Sequence, residues 1–128
     1  MAGWKEVVVA PEMPLIDVIA KIDASGLQVA LVLAPDGTLL GILTDGNIRR
    51  AILDGKGLKA PVASIMTVQP TTAAVFTPRD EMLALMRLKV IHHLPLVDEA
   101  KRVVGLVTLD ELIGGVERPN WVVLMAGG

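Results

Sequence analysis

The chain has 128 residues, enough for one hydrophobic core and too few for two independent ones. A net charge of -2, two Trp, one Phe and no Tyr supply neither the basic field nor the stacking surface of a nucleic-acid binder. The absence of cysteine excludes disulfides, Cys-ligated metal and a thiol nucleophile, and fits a reducing, cytoplasmic setting.

Hydrophobic residues make up 52% of the chain, mostly aliphatic, yet the longest apolar runs, Val29 to Ala34 and Trp121 to Ala126, fall well short of the ~20 residues of a membrane span. The apolar surplus instead predicts an exposed patch used for oligomerisation or docking. In chain order, Val7 to Ala10 is β-branched and reads as a first strand, closed by Pro11 and Pro14. Leu15, Ile16, Val18, Ile19 and Ile22 recur at helical spacing up to a Gly26 cap. Leu27 to Leu33 and Leu39 to Thr44 flank a Pro35-Asp36-Gly37 turn and predict a hairpin. A second helix, with Ile48, Ala51 and Ile52 on its apolar face, ends at Asp54-Gly55-Lys56-Gly57.

The order then returns. Thr77 is the expected N-cap of a third helix, with Pro78 at its first position and Asp80 closing a capping box. Met82, Leu83, Leu85, Met86 and Val90 form its stripe, and Met66, Met82 and Met86 read as core filler. His93 to Val97 and Val103 to Thr108 form a second hairpin, and Leu109 to Ile113 a short helix. At an ungapped offset of 64 residues, Pro14 matches Pro78, Ala20 matches Ala84, Gly41 matches Gly105 and Thr44 matches Thr108. The chain is one unit written twice, expected as repeat 1 over residues 1–57, a connector over 58–66, repeat 2 over 67–116 and a tail over 117–128.

The ordered set of strand, helix, strand, strand, helix, the connector ending Val62-Ala63-Ser64-Ile65-Met66-Thr67, the segment His92-His93-Leu94-Pro95-Leu96-Val97-Asp98, and the turns Gly41-Ile42-Leu43-Thr44 and Gly105-Leu106-Val107-Thr108 resemble a tandem pair of CBS (cystathionine-β-synthase) domains. The resemblance implies an α/β fold of two βαββα repeats packed with pseudo-twofold symmetry, two clefts between them, and a homodimer. It implies a regulatory ligand, AMP, ADP, ATP or S-adenosylmethionine, with no catalytic cofactor and no catalysis in this chain. In the family pattern a Thr or Ser, followed three residues on by Asp, grips ribose. Those positions here are Thr44 with Asn47 and Thr108 with Glu111, where Asp110 is a neighbouring alternative to Glu111. Residues before the Leu-Pro step select His92 and His93 for phosphate, and by the offset Gln28 and Val29. Backbone near Lys5 to Val7 or from Thr71 and Thr72 to Ala73 would hold the base.

Arg49 and Arg50 follow Asn47 and are further phosphate candidates, since a guanidinium can pair with phosphate oxygens, although such pairs are commonly solvated. Thr108-Leu109-Asp110-Glu111 is also a capping box in sequence, whereas Thr44-Asp45-Gly46-Asn47 lacks Glu or Gln at its fourth place. The Thr44 turn is therefore the favoured cleft for a phosphorylated ligand. Adjacent His92 and His93 point to opposite faces of a strand, which disfavours a shared metal, and Ser25 and Ser64 sit in no triad-like arrangement. Past Gly115, Val123-Leu124-Met125-Ala126-Gly127-Gly128 resembles the beginning of the first strand and glycine-rich loop of a sugar-nucleotide nucleotidyltransferase, without the Gly-Thr-Arg portion of that loop. That resemblance implies that the pair is the regulatory part of such an enzyme, covalently attached and inactive in this fragment.

Overall fold

The computed structural model describes residues 3–114, so the expected tail strand lies outside the described residues. Trp4–Val7 winds as a single 3-10 turn, which leaves strand β1 only Val8–Val9 and buries Val7 beside it. Helix α1 (Leu15–Ser25) starts after Pro14, where a missing N–H costs nothing, and ends on Gly26 in the left-handed region at φ 74°. Leu15, Val18 and Ile22 are its buried face; Ile16 lies one step off that stripe and is exposed.

Strands β2 (Val29–Leu33) and β3 (Leu39–Thr44) form the expected hairpin, with β1 parallel to β2 on its other side. Helix α2 (Asp45–Leu53) follows without a spacer. Only Ala51 of its expected apolar face is buried and Ile52 is exposed, so that face is narrower than the spacing suggested. The connector makes a 3-10 turn at Val62–Ser64, and strand β4 (Thr67–Val68) then pairs antiparallel with β3, giving the order β1-β2-β3-β4. Gly41 makes this approach possible: a Cβ there would lie 2.6 Å from the Thr67 carbonyl oxygen and 2.7 Å from Met66 Sδ.

The second sheet is β5 (Ala73–Ala74), β6 (His93–Val97) and β7 (Val103–Thr108), with helix α3 (Arg79–Lys89) crossing between β5 and β6 and helix α4 (Leu109–Gly114) after β7. The third-helix cap differs from expectation. Pro78, in extended backbone, is itself the N-cap, and no side chain caps the helix because proline has no side-chain oxygen to accept from its first-turn N–H groups. Thr77 and Asp80 thus form no capping box there. Val90 ends α3 in the left-handed region at φ 54° and is 80% exposed, so it leaves the stripe that Met82 and Met86 bury.

Three apolar clusters follow from this layout. Val18, Ile22, Ala30, Val32 and Leu43 sit under α1. Their partners at the 64-residue offset, Met82, Met86, Leu94, Leu96 and Val107, sit under α3. Between the sheets, Val7, Val29 and Leu31 of the first half meet Val97, Val103 and Leu106 of the second. Each such buried aliphatic side chain contributes roughly 1.5–3 kcal/mol of transfer free energy, so neither half owns its inner face. The two hairpin turns also clasp each other: Leu39 N–H donates to the Lys101 carbonyl at 3.1 Å and Val103 N–H to the Gly37 carbonyl at 3.1 Å. These two bonds exchange under the 64-residue offset, and they mark the pseudo-twofold axis between Thr38 and Arg102. Among the described residues no helix is long and apolar enough to cross a membrane.

Candidate functional site

At the end of the sheets opposite the clasp, the chain leaves β3 and β7 through matched turns. Thr44 is extended at the start of α2 and its backbone N–H donates to Asn47 Oδ1 at 2.9 Å, as does its hydroxyl at 3.0 Å. The reverse bond, from the Asn47 backbone to the Thr44 side chain, completes a capping box. At the second turn, Thr108 N–H donates to Glu111 Oε1 at 3.2 Å and Glu111 N–H to Thr108 Oγ1 at 3.0 Å. Both turns are therefore self-capped. Lacking Glu or Gln at its fourth place, the Thr44 turn is expected to cap less well, but in the structure the Asn47 side-chain carbonyl reaches the N-cap as a glutamate does.

Asn47 is occupied twice over. Its Nδ2 donates to Thr67 Oγ1 at 3.0 Å and to the Ile65 carbonyl at 3.4 Å, tying the turn to the connector. No sequence signal predicts this, because the partners lie 18 and 20 residues away.

Two cavities open on these turns. One of about 410 Å³ is lined by Thr44, Asp45 and Gly46 of the first half and by Val90, Ile91, His92 and His93 of the second, with Gln28 between. The other, about 250 Å³, is lined by Thr108 and Asp110 of the second half and by Gly26, Leu27 and Gln28 of the first, again with His92 and His93. Gly26 and Val90, the left-handed ends of α1 and α3, occupy matching places at the 64-residue offset. Gln28, itself at φ 65°, is the counterpart of His92. Sharing Gln28, His92 and His93, the two cavities form one groove across the pseudo-axis.

His93 holds the groove's floor. Its Nε2 lies 2.7 Å from the Leu27 carbonyl oxygen, a bond between halves 66 residues apart, so Nε2 carries the proton. Burial lowers its pKa below the usual 6.5 and His92 adds to this; the Leu27 carbonyl and the carboxylates of Asp110 and Asp45 oppose it. The imidazole is neutral at pH 7.

Of the residues expected to bind ligand, the fold thus gathers Gln28, Thr44, His92, His93, Thr108 and Asp110. Asn47 and Arg50 instead line a separate cavity of about 170 Å³ with Lys56 and Ser64. Arg49 is exposed on α2 and lines none of these cavities. Thr72 lines a groove of about 740 Å³ at the clasp end, beside Phe76 and Arg102, and Thr71 precedes it. Glu111 is engaged in its cap. What the sequence missed is Asp45, whose place beside Thr44 in the larger cavity follows from its position in the first turn of α2. Among the described residues no cluster of three or more His, Cys, Asp or Glu side chains could hold a metal ion.

The model of the CBS domain family matches residues 4–54 and 62–118. Arabinose 5-phosphate isomerase GutQ of Escherichia coli K12 is 27% identical over 103 residues, covering 80% of this chain and 32% of that protein. The chain spans about a third of the length of several curated relatives, 32% in each of two Helicobacter pylori proteins. An uncharacterized conserved protein from Pyrococcus horikoshii superposes with a TM-score of 0.79 at 30% identity, over 91% of this chain and 89% of that one. The CBS domain protein PAE2072 from Pyrobaculum aerophilum, solved with AMP, superposes with a TM-score of 0.77 over 95% and 92% of the two chains; at 18% identity it shares the fold alone.

Proposed function

Since this chain belongs to the CBS domain family, we propose that it is a regulatory pair that senses an adenine nucleotide or related adenosine ligand between its repeats and controls an attached catalytic domain. The observation that carries the reading is the pair of cavities at the matched Thr44 and Thr108 turns, each lined from both halves. A ligand there contacts both repeats at once. Its preference for one relative arrangement of the halves is the signal passed on. The AMP bound by the Pyrobaculum aerophilum protein supports the ligand class.

The Thr44 cleft, at about 410 Å³ against about 250 Å³, is the principal site. A thermal-shift panel of AMP, ADP, ATP, S-adenosylmethionine and sugar nucleotides tests the proposal, because a ligand bound only by the folded state raises the melting temperature. Thr44→Ala then weakens binding more than Thr108→Ala, and the opposite order refutes the site preference. A second reading, a dimerisation module without ligand, draws on the two self-capped turns, which need no ligand to satisfy them. It gains if no compound at millimolar concentration shifts the melting temperature.

The chain acts as a cytoplasmic homodimer in this proposal, supported by exposed Ile52, Leu53 and Leu88 on its helices, and light scattering checks the assembly. The attached enzyme is a sugar-nucleotide nucleotidyltransferase, supported by the run Val123 to Gly128. The E. coli relative carries an isomerase name, so related pairs accompany different chemistry. Reading the natural gene past Gly128 decides between them: a continuing Gly-Thr-Arg loop supports the nucleotidyltransferase, and a stop codon or unrelated sequence removes it.

A further inference from the structure

Resting on the reading that the groove holds an adenosine ligand, we infer that it takes an adenosine whose 5′ substituent is uncharged or cationic, and that it disfavours phosphorylated nucleotides by charge. The lining carries this. Each half of the groove presents one carboxylate, Asp45 beside Thr44 and Asp110 beside Thr108, and no lysine or arginine lines either half among the described residues. The guanidinium of Arg50, adjacent in sequence, faces the separate cavity behind α2, where Lys56 also lies and donates to the Ser64 carbonyl at 3.1 Å.

Backbone dipoles do not reverse the sign. The N-terminus of α2 would favour an anion, but Asp45 stands in its first turn and answers that field. Facing it, the C-terminal end of α1, at Gly26, has no basic residue in its last turn and presents the negative end of its dipole to the groove, while that of α3, at Val90, is answered by Arg87 and Lys89 in its own last turn. His93 adds no positive charge at pH 7, since it is neutral and its Nε2–H is committed to Leu27. A 5′-phosphate brings about 1.5–2 negative charges into a groove with two carboxylates and no guanidinium or ammonium to pair with them. A thioether brings none, and a sulfonium brings one positive charge that those carboxylates attract.

Titration calorimetry on the full chain at pH 7.5 and low salt tests this with four probes: 5′-methylthioadenosine, S-adenosylmethionine, AMP and ATP. The expected order places the first two at least about tenfold tighter than AMP, with ATP weakest, and the gap narrows as salt screens the carboxylates. AMP or ATP binding as tightly as the sulfonium overturns the inference while leaving the adenosine reading intact. Binding of none of the four overturns that reading and the inference with it. The double variant Asp45→Asn, Asp110→Asn changes two exposed side chains and keeps the backbone turns. It is expected to shift the ratio of S-adenosylmethionine to AMP affinity toward AMP by about tenfold, and an unchanged ratio shows that these carboxylates do not set the preference.

Discussion

At the scale of single residues, the groove is framed by side chains held where their chemistry is least at ease. Val90 is a β-branched residue at φ 54°, a region that costs an L-residue roughly 1–2 kcal/mol. Its side chain is 80% exposed and gives little back through packing. Val90→Gly is therefore expected to stabilise the protein by about 1 kcal/mol, read from the urea midpoint; a loss of stability shows that Val90 packs usefully at the groove's mouth. His93 makes a second prediction. Its folded pKa is lowered, chiefly by burial, so between that value and 6.5 the unfolded chain binds more protons than the folded one. The contribution of His93 to stability is then complete above about pH 6.5 and is lost as the pH falls through that window. Wild-type melting temperature should drop by more between pH 7.5 and 5.5 than that of His93→Gln, whose amide can still donate to the Leu27 carbonyl. His92, Asp45 and Asp110 also face this imidazole and are unchanged in the comparison. Equal slopes would show that the proton uptake lies elsewhere.

At the scale of elements, β4 depends on a missing side chain. The Cβ of Gly41→Ala would meet the Thr67 carbonyl at 2.6 Å and Met66 Sδ at 2.7 Å, and the backbone oxygen cannot swing aside as a methionine tip can. The expected cost is about 1–3 kcal/mol, together with faster amide exchange at Thr67 and Val68, which pair with β3. An alanine variant with wild-type stability and exchange means that β4 moves at little cost. The same elements show what the sequence makes legible. Helices and hairpins were readable because their signals are local: periodic apolar residues in α1 and α3, the Pro35-Asp36-Gly37 turn, the left-handed Gly26. The matched turns were readable because the chain states them twice. Asn47's grip on Ile65 and Thr67 was not, since its partners lie in a segment that sequence spacing does not bring near.

At the scale of the whole molecule, the inner core is shared, so the halves should not stand alone. A fragment of residues 1–57 exposes Val7, Val29 and Leu31, which meet Val97, Val103 and Leu106 in the intact chain. It also lacks Lys101 and Val103, the partners of Leu39 and Gly37 in the clasp. Circular dichroism of that fragment is expected to show no cooperative melt, and a sharp transition would show that one repeat folds by itself. The clasp and the inner core have a further consequence, for the order in which the protein is made. Every partner of the first half's inner face lies about 50 or more residues downstream, so this apolar surface leaves the ribosome several seconds before its mate at synthesis rates of about 5–20 residues per second. During that interval the nascent hairpin has only another chain's apolar surface, or a chaperone, to cover it. Production is thus most vulnerable to aggregation in the time between emergence of Leu31 and of Leu106, and codons that slow translation between these points would lower the soluble yield without altering the folded protein.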